Sequence, residues 1–85
     1  MTVTKTSLEL FIAYAEDAGN WSGNPYVSAG NITPTKAQRG NLSDLVQKGL
    51  IEIKDAWNPG FNYIVFTEAG KQLAAENGVD LSWVD

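Results

Sequence analysis

The sequence predicts a small α+β domain in which helices flank a two-stranded antiparallel hairpin. Three observations predict it. Apolar residues recur at helical spacing over residues 7–18 and 33–48. Residues 50–54 alternate in polarity, and β-branched and aromatic residues return at 62–66, on the far side of Trp57-Asn58-Pro59-Gly60. Thr67 then opens a last helical pattern. With 85 residues, the chain is expected to form one domain, 1–85, around one modest core.

The first helix starts at a capping box, Thr6-Ser7-Leu8-Glu9, in which hydroxyl and carboxylate satisfy free backbone donors. Leu8, Phe11, Ile12 and Ala15 give it an apolar face, and Leu10 and Tyr14 a second strip, so it packs on two sides or lends one to a partner. Glu16 and Asp17 stand at the end that the helix dipole disfavours for anions, and Gly19 supplies a left-handed stop. Residues 19–31, GNWSGNPYVSAGN, read as loop with a short extended piece at 25–28. Trp21, Tyr26 and Val27 either plug the core, or Trp21 or Tyr26 is exposed for a ligand or partner.

Thr33 and Pro34 suit the cap and first position of the next helix. Leu42, Leu45, Val46 and Gly49 share its inner face, and Gly49 ends it after Lys48. The opposite face carries Lys36, Ala37, Gly40, Ser43, Asp44 and Gln47, with Arg39 on its flank. In the hairpin, Ile51 and Ile53 take one side, Glu52 and Lys54 the other. Thr67 caps a helix over 68–77 that turns Ala69, Leu73 and Ala74 inward and ends at Gly78. The apolar tail, VDLSWVD, docks on the body.

Composition removes much chemistry. The chain has no cysteine and no histidine, hence no disulfide, no thiol nucleophile and none of the commonest metal ligand and general base. It holds no glycine-rich phosphate loop, and Ser22 has no histidine to activate it. The expectation is a non-enzyme without cofactor or metal. No apolar run approaches the roughly 20 residues that cross a bilayer, and the opening MTVTKTSLELF lacks a secretory layout. A cytoplasmic protein without a membrane partner is expected.

The run LSDLVQKGLIEI, then a hairpin, then FTEAGKQLA, resembles the C-terminal half of winged helix-turn-helix transcription regulators of the MarR/ArsR type. In those proteins the recognition helix ends L-x-x-L-x-x-K-G-L-[IV], matched here by Leu42, Leu45, Lys48, Gly49, Leu50 and Ile51. The sequence after their wing is matched by Phe66, Thr67, Glu68, Ala69 and Gly70. The chain also resembles short uncharacterised bacterial and phage winged-helix proteins with an NWSG-x-P-x-V loop, here Asn20–Gly23, Pro25 and Val27. The resemblance implies a winged helix-turn-helix with a degenerate second helix, a two-stranded antiparallel wing and a C-terminal helix. It makes residues 33–48 the recognition helix, with Thr35, Lys36, Arg39 and Ser43 facing DNA. Lys54, with Trp57 and Asn58 at the tip, belongs to the wing.

Two functions follow. One is a small DNA-binding transcription regulator whose partner is double-stranded DNA. Its six basic residues against ten acids, net −4, make the global field oppose phosphate, so affinity depends on clustered cations. The other is a protein-interaction adaptor, phage-encoded in one version, that keeps the scaffold without DNA contact. It would use Trp21, Tyr26 and Trp57 toward a protein partner. Either could be a homodimer, with the first helix and the apolar tail as the expected surfaces.

Overall fold

The computed structural model describes residues 3–21, 23–28, 31–55 and 62–84. Among them are three α-helices and a two-stranded antiparallel sheet, in the order α1 (Lys5–Asp17), α2 (Lys36–Gln47), β1 (Ile51–Asp55), β2 (Asn62–Phe66) and α3 (Glu68–Glu76). The expected α+β class is present at this level. The hairpin tip expected at 57–60 lies outside the described residues.

Helix α1 starts two residues before the expected position. Thr4 caps it, its hydroxyl accepting the Ser7 N–H at 3.3 Å, and Thr6 lies inside the helix. The buried line is Leu10, Phe11, Tyr14, Ala15 and Ala18, while Leu8 and Ile12 are half-buried. The strip read as secondary is therefore central to the core, because α1 is covered from both α2 and the sheet side. Gly19 does not stop the helix. Ala18 keeps right-handed geometry and the chain tightens into a 3-10 turn over Ala18–Asn20. The left-handed residue is Gly23, at φ 96°, where a Cβ would stand 3.0 Å from the Val84 side chain.

The loop then supplies the expected extended piece. The Val27 N–H donates to the Asn62 carbonyl (2.9 Å) and the Ile64 N–H to the Pro25 carbonyl (2.8 Å), so Tyr26 bridges antiparallel to Tyr63. This short segment lies on the edge of β2 opposite β1. Val27 is buried, and the buried Tyr14 hydroxyl donates to its carbonyl at 2.6 Å.

Helix α2 is capped by Thr35, not by Thr33. The Gln38 N–H donates to the Thr35 hydroxyl (3.1 Å) and the Thr35 N–H to the Gln38 side-chain oxygen (2.8 Å). This reciprocal box satisfies two free donors at once, which Thr33 cannot match because Lys36, three residues on, offers no acceptor. Leu42 and Leu45 are buried as expected, whereas Val46 is 39% exposed, on the rim of the inner face. Gly49, at φ 74°, ends the helix as expected.

In the hairpin, Ile51 pairs with Phe66 and Ile53 with Ile64 on one face, while Glu52 pairs with Val65 and Lys54 with Tyr63 on the other. Phe66 meets Phe11 edge-on, ring centroids 5.8 Å apart, which joins the sheet to α1. Thr67 caps α3 as expected and does more: its hydroxyl accepts the Gly70 N–H and donates to the Gly49 carbonyl at 2.6 Å. It thus ties the end of the α2 turn to the start of α3. Gly70 and Ala74 face inward, Leu73 is half-buried, and Ala69, expected inside, is exposed. The tail docks, with Leu81 and Val84 buried and the Lys71 ammonium donating to the Val84 carbonyl at 2.7 Å. Only Trp83 of its large apolar residues stands out, at 52%.

Candidate nucleic-acid interface

The residues expected to face DNA sit at the start and along the exposed side of α2. Lys36, Ala37, Arg39, Gly40, Ser43 and Gln47 are all exposed. Helical spacing lines up Lys36, Gly40, Ser43 and Gln47 on one stripe, with Arg39 beside Ser43 on the next. Nothing lies within 4 Å of where a Gly40 Cβ would be. The face is low in relief: two long cations separated by small side chains. Thr35 is exposed too, and its hydroxyl is already engaged by the Gln38 N–H.

Asp44 does not share that face as expected. Its carboxylate accepts from the Ser7 hydroxyl of α1 (3.1 Å) and binds the Lys48 ammonium through both oxygens, at 2.8 and 2.9 Å. The Lys48 hydrogen bonds first, against desolvation and with help from Ser7, hold its carboxyl below the ordinary 3.8. Asp44 is the only acid of α2, and it is turned toward α1. Among the described residues, the three ion pairs engage Lys48, Lys54 and Lys71, and none engages Lys36 or Arg39.

Lys54 stands apart from this group. It is exposed on β1, with its ammonium 3.3 Å from the Glu52 carboxylate of the same strand. Asp55 beside it is also exposed. The described part of the hairpin therefore offers no net positive charge to the α2 face.

The loop before α2 is held by a carboxylate that the sequence pattern marked only as unfavourable. Asp17 is buried and accepts three side-chain donors: Asn20 (3.0 Å), Trp21 Nε1 (3.0 Å) and Asn31 (2.8 Å). Burial raises its carboxyl, but these donors outweigh it and leave it below 3.8. The clasp ties Asn20, Trp21 and Asn31 to the end of α1, in the region where a second helix was expected to be degenerate. Donors three and four residues after an acid at a helix end, Asn20 and Trp21, were the available clue. Nearby, burial chiefly, countered by Arg39 and assisted by Asp17, pushes the Tyr14 hydroxyl up to about 12.

Trp21 and Tyr26 come together edge-on, centroids 5.0 Å apart, and both are half-buried. Tyr26 and Tyr63 are cross-strand neighbours, so their side chains share the sheet face that carries Lys54. Trp57 lies outside the described residues. Among the described residues no helix is long and apolar enough to cross a membrane. No protein-family model, no curated protein and no solved structure matches the chain.

Proposed function

We propose that the chain is a winged-helix DNA-binding protein with a regulatory role, which sets the exposed side of α2 into the major groove of duplex DNA. The observation that carries this reading is the pairing pattern of α2. Lys36 and Arg39 are exposed and outside every ion pair among the described residues, while Asp44 is held against α1. The short segment at 25–27 supports the winged layout, since it puts a third extended piece beside β2 opposite β1.

The roles follow from chemistry. The Arg39 guanidinium offers two parallel donors that match guanine O6 and N7. Lys36, near the helix start, supplies a phosphate contact, as does the Ser43 hydroxyl. Gly40 keeps the space between them open for a groove wall. Thr35 positions the helix through its cap. Lys54 adds little while Glu52 neutralises it.

Fluorescence anisotropy with labelled mixed-sequence duplexes at low salt tests the proposal. Saturable binding that weakens steeply with added salt is expected. Absence of binding at high protein concentration rejects it. The specific observation behind the adaptor alternative is the Glu52–Lys54 pair together with the exposed Trp83. That reading gains if the duplexes are not bound and a pull-down recovers a protein through the hairpin or tail.

A further inference from the structure

Strand β2 lies between β1 and the 25–27 segment. Its Ile64 N–H and Asn62 carbonyl bond that segment, so residues 62 and 64 direct their backbone groups away from β1. Backbone groups alternate sides along a strand, which leaves Tyr63 and Val65 to bond β1. Their partners there are Lys54 and Glu52. Ile51, Ile53 and Asp55 therefore turn their N–H and C=O groups to the outer edge of β1. Among the described residues nothing pairs with that edge. Ile51 is buried, but residues 52–55 are exposed, with Ile53 at 38%. An edge of this kind is a template for another strand.

We propose that the second strand is β1 of another copy of this chain, antiparallel, about a two-fold axis at Ile53. Charge selects both the partner and the register. With the axis at Ile53, Glu52 faces Lys54 of the second copy and Lys54 faces its Glu52. Moving the axis to Glu52 sets two glutamates together, and moving it to Lys54 sets two lysines together. Registers that pair an outward residue with an inward one cannot form a ladder. At the selected register the two Ile53 residues exchange N–H···O bonds. Glu52 and Lys54 then occupy the non-hydrogen-bonded positions, where opposed side chains approach most closely.

This surface replaces the two expected from the sequence. Both apolar strips of α1 are drawn on by the core, and the tail has Leu81 and Val84 buried. The overlap at β1 is short compared with a standard stable interface, so the dimer is weak and concentration-dependent. The inference goes beyond DNA binding and does not depend on it.

Sedimentation equilibrium across a wide concentration range, into the millimolar, tests it. The wild-type chain forms dimers as concentration rises. E52K alone and K54E alone each oppose like charges in both flanking pairs and lose the dimer. An equal mixture of E52K and K54E restores both opposite-charge pairs and yields a mixed dimer. E76K and K5E, which change net charge equally at other exposed sites, dimerise like wild type. I53P removes the outward N–H while leaving the bonds from 52 and 54 to β2, and it stays monomeric. Circular dichroism confirms that each variant is folded. A wild-type chain that stays monomeric overturns the proposal. So do single variants that dimerise normally, or a mixture that associates no better than its components.

Discussion

The Ser7 hydroxyl donates to the Asp44 carboxylate across 3.1 Å, and this one bond between α1 and α2 turns the only acid of α2 toward the neighbouring helix. Asn41 Oδ1 lies 3.2 Å from the same hydroxyl, whose single proton the two acceptors share, so a buried serine serves as the polar join of two helices. In S7A, Lys48 still binds Asp44, but the carboxyl loses one of the bonds that depress it. Its pKa should rise toward 3.8, read by carbon-13 shifts in a pH titration, and the chain should unfold at lower urea. Unchanged titration and midpoint would mean that the bond contributes nothing.

Acid stability tests the Asp17 clasp. Its folded pKa is depressed, so its contribution is complete above the unfolded value near 3.8 and is lost as pH falls through the lower folded value. Thermal melts should be level at neutral pH and fall below about pH 4. D17A leaves Asn20, Trp21 and Asn31 without their acceptor and should cost about 1–3 kcal/mol at neutral pH, with a flatter acid limb. A D17A melt that keeps the wild-type acid slope would assign that slope elsewhere.

The same substitution at two helical glycines should have opposite signs. Gly40 has open space where a Cβ would stand, so G40A should stabilise by about 0.5–1 kcal/mol through helix propensity. At Gly70 a Cβ falls far inside contact distance of the Leu50 carbonyl oxygen, a backbone atom that cannot swing aside. G70A should therefore destabilise by about 1–3 kcal/mol despite the same propensity gain. Urea unfolding of both variants decides it, and a stable G70A would contradict the close approach of α3 to Leu50.

The elements that were legible in the sequence have local causes. The alternation at 50–54, the Thr67 cap and the glycines at 49 and 78 each specify their own geometry, and the structure places them as expected. Residues decided by distant partners were not legible. Thr35 takes the cap of α2 from Thr33 for a local reason, since Gln38 three residues on completes a capping box and Lys36, three after Thr33, offers no acceptor. Thr4, by contrast, takes the cap of α1 from Thr6 against the local Thr6–Glu9 signal. Asp17 reads as a misplaced anion until Asn31 folds back on it. Asp44 falls on the polar side of a helical wheel, but Ser7, 37 positions earlier, draws it inward. The cations Lys36 and Arg39 were identifiable from spacing alone, while the Glu52 contact that occupies Lys54 became visible only with the strand geometry.

The most direct test is the salt dependence of DNA binding by wild type and by the K36A/R39A double variant. Both side chains are exposed and outside the ion pairs of the described residues, so the fold should be unaffected. If α2 carries the contact, the double variant should bind more weakly, its log–log salt slope should be shallower by about 1 for the lost Lys36 phosphate contact, and loss of Arg39 should relax discrimination at guanine. An unchanged affinity and slope, in a variant that melts like wild type, would contradict the placement of α2 on DNA.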